Sequence, residues 1–213
     1  MARARWTGIL TFLVGVATLV ALFRFNEANA YGEHYLVVNV ICLFWIPMTA
    51  VFLLAREEPS RFGFTSGESR GVWLWTLLLY GGALVFLIPA SRKPGFQLYY
   101  PMDKTAADSI AAFAYSAAKW GVYFFCWEFF FRGFLLFGLQ RSIGWAAVVV
   151  QAIAFGMMHY GKLTPEFAAS FPAGLILGLL ALRARSFFPC FVLHWVSALT
   201  FDLLVIWAQR QSM

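Results

Sequence analysis

Long apolar stretches with almost no charge constrain this fold more than any other feature of the sequence. Each runs for about 17 to 23 residues, the length that a helix needs to cross a hydrocarbon layer about 30 Å thick. Composition agrees, because 62% of the residues are hydrophobic and only 12% are charged. The sequence predicts an all-α, polytopic transmembrane helix bundle of about seven spans, at 8–25, 35–55, 71–90, 121–140, 144–160, 166–182 and 187–208.

Short connections between these stretches predict a single integral membrane domain, 1–213. We expect the first stretch to remain as a span, because it lacks the features of a cleaved signal. The net charge of +6 comes largely from basic residues at segment ends, which anchor helices and orient them. We therefore predict no nucleic-acid partner. The basic residues near the first two spans predict a cytoplasmic N-terminus: Arg3, Arg5, Arg56, Arg61 and Arg70.

Five ionisable residues, one of which is Asp202, fall inside the predicted spans once the helix ends are set aside. A charge at the centre of a membrane helix costs about 2.5 to 3.5 kcal/mol on insertion scales, so each is a candidate functional residue. Glu128 and Arg132 are four residues apart, which places their side chains on one helix face. This pair is either structural or part of a reactive site. The other two residues are His159 and His194.

Two histidines and a carboxylate leave two kinds of site open. They are the ligands of a His₂Glu zinc site, or a carboxylate base with imidazoles that polarise a carbonyl group. Seven simple spans would place His159 and His194 at different depths, so we expect 159–167 to dip into the protein and border the cavity. Gln151 and Asp202 are expected to serve helix packing.

The order and spacing of these motifs resemble those of the CAAX prenyl endopeptidase and bacteriocin-processing family of intramembrane proteases, often called CPBP or Abi. The likeness covers a protease-like core at about 110–208. It rests on Glu128-x-x-x-Arg132-Gly133, Phe155-x-x-x-His159 and His194. The resemblance implies helices around a hydrophilic chamber, where a glutamate activates water and histidines hold the scissile carbonyl oxygen.

This sequence departs from the family pattern at two positions. The family usually has two adjacent glutamates, and the first is generally taken as the base; Trp127 stands there, so only Glu128 remains. Neighbouring helix residues point about 100° apart, so Glu128 does not simply replace the missing side chain. The family also commonly has Asn or Asp where this chain has Ala198, and Asp202 follows one turn later.

The resemblance implies an intramembrane endopeptidase that hydrolyses a membrane-anchored or lipidated peptide in the bilayer. Its predicted catalytic residues are Glu128 as base, His159 as its aid, His194 at the oxyanion and Arg132 holding Glu128 ionised. No cofactor is required by this route, whereas a zinc route would use Glu128, His159 and His194 as ligands. The main alternative is a non-catalytic relative that binds a peptide or lipidated tail. A transporter is disfavoured by the lack of internal repeats, and a thiol protease on Cys126 by its apolar setting.

Overall fold

The computed structural model describes residues 2–28, 34–67 and 70–211, without the side chains of residues 2, 3 and 70. Arg3 and Arg70, which contribute to the predicted orientation, therefore lie outside the described side chains. Every regular element in the described ranges is a helix, so the predicted all-α bundle is confirmed. The helices are α1 (Ala2–Ala28), α2 (Tyr35–Ala55), α3 (Arg70–Ser91), α4 (Pro94–Tyr99), α5 (Ile110–Ile143), α6 (Ala146–Met157), α7 (Thr164–Ala184) and α8 (Phe188–Gln211).

Six of these helices are long and apolar enough to cross a membrane: α1, α2, α3, α5, α7 and α8. The protein is therefore an integral membrane protein. The predicted span at 144–160 corresponds to α6, which is a shorter apolar helix. The predicted span at 121–140 is part of α5, a helix of 34 residues that begins eleven residues earlier than expected.

The buried helix α5 forms the centre of the bundle. It begins after Ser109, whose Oγ accepts a hydrogen bond of 3.1 Å from the backbone N–H of Ala112, as a helix N-cap does. Helix α8 packs along α3 and α5, while α6 packs along α7. Helix α1 packs against the C-terminal end of α5, where Gly8 faces Ser142 and Gly138 faces Thr11 at close range, as small residues permit in membranes.

A wide helical turn interrupts α5 directly after Glu128. Residues Phe129–Leu135 form a π-helical segment, a feature that is frequent at functional sites. Phe129, Phe130 and Phe131 are fully buried within it, which confirms their expected structural role. Gly133 allows the backbone carbonyl of Phe62 to approach, since a Cβ there would lie 2.9 Å from that oxygen.

Helix α6 is too short to cross the membrane. Its 12 residues span about 18 Å, against a hydrocarbon thickness of about 30 Å. The turn that follows it contains His159. Gln151 joins α6 to α7, because its amide nitrogen donates to the carbonyls of Val148 (2.9 Å) and Gly174 (2.8 Å). Its expected packing role is confirmed.

Four segments of the chain meet at one end of the bundle, which we call the arginine face. They are the start of α1, residues 56–67, the end of α5 and the turn 184–187. Ser142 Oγ donates to the carbonyl of Ala4 (2.8 Å), and Thr65 Oγ1 donates to that of Arg185 (2.9 Å). The described side chains of this face include two glutamates, Glu57 and Glu58, and six arginines: Arg5, Arg56, Arg61, Arg141, Arg183 and Arg185.

Candidate active site

Glu128 and Arg132 form a completely buried ion pair at the centre of the bundle. Both side chains have no exposed surface. Arg132 Nη1 donates to Glu128 Oε1 at 3.4 Å, and Arg132 Nε lies 3.3 Å from Oε2. Because an isolated charge is costly in such a setting, each group requires the other. The predicted pairing of these two residues is confirmed.

His194 contacts the same carboxylate directly. It lies in the first half of α8, and its Nδ1 is 2.6 Å from Glu128 Oε1. This short distance is typical of a charge-assisted hydrogen bond, with Nδ1–H donating to a carboxylate oxygen. The side chain of His194 is 20% exposed, so it provides contact between the buried carboxylate and the surroundings of the bundle.

His159 lies beside this pair. In the described part of the chain it makes no hydrogen bond to Glu128. Its Nδ1 is 2.9 Å from the carbonyl oxygen of Phe155. Since a carbonyl only accepts, Nδ1 must carry the hydrogen, and in the neutral ring Nε2 then holds the lone pair. The orientation of His159 is thus fixed by the backbone one helical turn earlier.

The ring of Phe155 lies against three of the four predicted site residues. Its centroid is 4.6 Å from that of His159 and 5.9 Å from that of His194. The guanidinium of Arg132 lies 3.9 Å from the same centroid, within range of a cation–π interaction. The structure therefore brings Glu128, Arg132, His159 and His194 into one cluster, and their catalytic roles stay predictions.

Sequence reasoning did not assign Phe155 or Phe124 to the site. The ring of Phe124 lies 4.4 Å from that of His194, so this residue also adjoins the site. The spacing Phe155-x-x-x-His159 places both rings on one helix face, so this signal was present in the sequence. For Phe124 the contact depends on how α5 and α8 pack, which the sequence does not state.

Several polar atoms of the cluster make no hydrogen bond within the described part of the chain. They include Glu128 Oε2, Arg132 Nη2 and Trp127 Nε1. Glu128 Oε2 still lies 3.3 Å from Arg132 Nε, and a carboxylate oxygen can accept a proton from a water molecule. The guanidinium and indole N–H groups can each donate to an acceptor. The cluster therefore combines a carboxylate of fixed orientation with N–H donors that make no hydrogen bond within the described part of the chain.

Residues 107–200 match the family model of Rce1-like proteins, described as type II CAAX prenyl endopeptidase Rce1-like. The resemblance to the CAAX endopeptidase family is confirmed over these residues. The matched region contains all four predicted site residues and both departures from the family pattern. No curated protein and no solved structure matches the chain.

Trp127 fills the position of the family's first glutamate with an aromatic ring. The residue is 4% exposed, stacks on Tyr123 at 5.5 Å and lies 4.9 Å from the ring of Phe131. Its ring also meets that of His159 edge-on at 5.8 Å. A side chain in this position therefore faces His159, and here it offers an indole instead of a carboxylate.

The predicted zinc ligands do not fit a ready metal site. Among the described residues, no group of three or more His, Cys, Asp or Glu side chains is placed to hold a metal ion. Glu128 already bonds to His194 Nδ1 and pairs with Arg132. A positive guanidinium next to the carboxylate competes with a cation for the same oxygens. We derive no step through a metal.

A second polar cluster adjoins the turn of His159. Tyr100 OH donates to both carboxylate oxygens of Glu166, at 2.7 and 2.8 Å, and Lys162 Nζ lies 3.2 Å from that hydroxyl. Burial, followed by the negative charge of Glu166, raises the pKa of Tyr100 well above its usual value, so the phenol remains a donor. Residues 159–167 thus pack against the loop around Tyr100. Asp202 interacts electrostatically with Lys162.

Proposed function

We propose that this protein is an intramembrane endopeptidase of the CAAX protease type. The observation that carries the proposal is Glu128: a fully buried carboxylate that is paired with Arg132, is bonded to His194 through Oε1 and makes no hydrogen bond through Oε2. Such a group can be ionised, oriented and dry at the same time, as a general base requires. The family match supports a peptide as the substrate class.

In the proposed reaction, Glu128 Oε2 accepts a proton from water as the water oxygen attacks the scissile carbonyl carbon. The peptide C–N bond then breaks, and the proton held by Glu128 passes to the departing nitrogen. Arg132 keeps the carboxylate ionised between turnovers. His194, in its protonated form, donates from Nε2 to the developing oxyanion. Neutral His159 presents the Nε2 lone pair, which suits it to hold the attacking water.

The substrate we propose is a membrane-anchored or lipidated peptide that reaches the cluster from the bilayer. The proposed route needs no cofactor, and metal analysis of the purified protein would test this. We also propose that the arginine face is cytoplasmic, because arginines outnumber glutamates there and cytoplasmic loops are rich in basic residues. The bacterial inner membrane is the proposed location.

The test is Glu128→Gln in protein reconstituted into vesicles and supplied with a lipidated CAAX peptide. We expect cleavage to fall by about 10²- to 10⁴-fold, the contribution of a positioned base. Glu57→Gln is the matched control, since Glu57 is another buried glutamate paired with an arginine, Arg61, at 2.8 Å. Full activity in Glu128→Gln, or equal losses in both variants, would refute the proposal.

One observation favours a second function. Trp127 places an indole against His159 where the family has its usual base, which is the arrangement expected of a non-catalytic relative that binds a peptide or lipidated tail. A double variant, His159→Ala with His194→Ala, distinguishes the two. Loss of cleavage supports the protease, whereas an unchanged biological phenotype and unchanged peptide binding support the binding protein.

A further inference from the structure

We propose that a cavity at the arginine face binds the phosphate headgroup of an anionic phospholipid. The cavity measures about 310 Å³ and is separate from the candidate active site. Of the residues of α5 that line the cavity, Phe137 is the nearest to Glu128 in the sequence, and it follows Glu128 by nine positions. The polar part of the wall consists of Ser60, Gln140, Arg61 and Arg185.

Three separate chain segments build this cavity. The linker after α2 contributes Arg61 and Gly63, the end of α5 contributes Gln140, and the end of α7 contributes Arg185. Gly63 has a φ of +76°, and a Cβ there would lie 2.4 Å from the ring of Phe137. Glycine therefore lets the linker turn tightly over the helix and form one wall of the cavity.

The electrostatic environment of the cavity is positive. Arg61 Nη1 bonds to Glu57 Oε2 at 2.8 Å, and Arg141 Nη1 lies 3.4 Å from the other oxygen of that carboxylate. Two arginines thus share a single glutamate. Arg141 Nη2 also donates to the carbonyl of Arg61 at 2.8 Å, which fixes the linker. Arg185 also lines the cavity, so an anion that enters it meets a further arginine, while Ser60 Oγ in the wall donates to Glu58 Oε2 at 3.3 Å.

The position of the cavity points to a lipid as the source of that anion. It lies at the ends of membrane-spanning helices, where headgroups are found, and basic pockets between such helices bind anionic headgroups. Its apolar wall includes Leu182 and Phe137. One turn before Leu182, Leu179 is 48% exposed, so the apolar wall continues onto a surface that contacts acyl chains.

The experiment uses the full chain in detergent with three probes: phosphatidylglycerol, phosphatidylcholine and soluble glycerol phosphate. Native mass spectrometry counts retained lipid, and thermal unfolding reports stabilisation. We expect phosphatidylglycerol alone to be retained and to stabilise the protein. Arg61→Gln and Arg185→Gln should each weaken retention by about fivefold, as expected for loss of one basic contact to an anionic lipid.

Arg183→Gln is the matched control, because it removes the same charge from α7 at a residue that does not line the cavity. Ser60→Trp obstructs the cavity and keeps every charge, so it should also reduce retention even if an arginine variant folds poorly. Equal retention of phosphatidylcholine, saturation by glycerol phosphate, or retention unchanged by Ser60→Trp and Arg185→Gln overturns the lipid site. None of these measurements depends on peptide cleavage.

Discussion

Helices α3 and α5 are both apolar enough to cross a membrane, yet they occupy opposite environments. In the most apolar 18-residue window of α5, 78% of the residues are buried inside the protein, against 11% in α3. Only α5 carries charges in its middle. A buried helix can place an ion pair against protein groups, whereas a helix that faces lipid on most sides has no partner to offer.

Glycines show the same contrast between the two helices. A Cβ at Gly82 in α3 would meet nothing within 4 Å, while one at Gly133 in α5 would lie 2.9 Å from a backbone oxygen. The difference teaches that similar hydropathy hides different packing densities. Two pairs of substitutions in α5 and at α3 test this contrast, and two further substitutions sharpen the description of the site, in order of decreasing expected effect.

Removal of Arg132 should have the greatest effect on stability. Arg132→Met keeps the bulk of the side chain but leaves the Glu128 carboxylate buried without its cation, which costs about 3 to 5 kcal/mol in comparable pairs. Unfolding in detergent would measure the loss. Arg92→Met, at an exposed position after α3, should change stability by less than about 0.5 kcal/mol. A similar small loss in both variants would contradict the contrast.

A methyl group added to each helix is the next test. Gly133→Ala should destabilise the protein by about 1 to 3 kcal/mol, because overpacking forces the backbone of residue 62 to move. Gly82→Ala should be neutral or stabilise the helix by up to about 1 kcal/mol. The comparison needs only the two unfolding midpoints under one condition. The proposed difference in packing between α3 and α5 is contradicted if the two alanine substitutions change stability in the same direction and by the same amount.

The Tyr100 hydroxyl should contribute less. Tyr100→Phe removes the donor to Glu166, and a hydrogen bond to a charged group contributes about 1.5 to 3 kcal/mol before the carboxylate finds other partners. We expect a loss in the lower part of that range, measured by thermal unfolding, because Lys162 lies 3.6 Å from the same carboxylate. Tyr99→Phe is the neighbouring control. Equal behaviour of the two tyrosines would argue against this role.

The smallest effect is expected at Trp127. Trp127→Phe keeps a ring against His159 and removes an indole N–H that has no hydrogen bond in the described structure. The smaller ring loses contact area, which destabilises the protein, whereas removal of a buried N–H without a hydrogen bond stabilises it. These effects oppose each other, so stability should change by less than about 1.5 kcal/mol. Peptide cleavage and binding should be retained. A selective loss of peptide binding, with stability unchanged, would show that the N–H contacts the substrate.

Much of this fold was predictable, and the failures have physical causes. Apolar length identified six long spans, because that signal is local to each segment. It predicted a complete span at 144–160, where the helix is shorter. Apolar character alone does not distinguish a helix that crosses the membrane from a short buried helix. The pairing of Glu128 with Arg132 follows from their spacing. The π-helical segment and the direct contact of His194 with Glu128 depend on tertiary packing, which periodicity does not encode.

The half-length helix α6 has a consequence for how a polar chain could enter this protein. Because α6 covers only about 18 Å of a layer about 30 Å deep, roughly 12 Å above its end is not insulated by that helix. Lys162 and Tyr100 occupy the adjoining turn and loop, with Nζ 5.2 Å from the tyrosine ring. The space beyond the end of α6 therefore adjoins the polar side chains of Lys162 and Tyr100 instead of another turn of apolar helix.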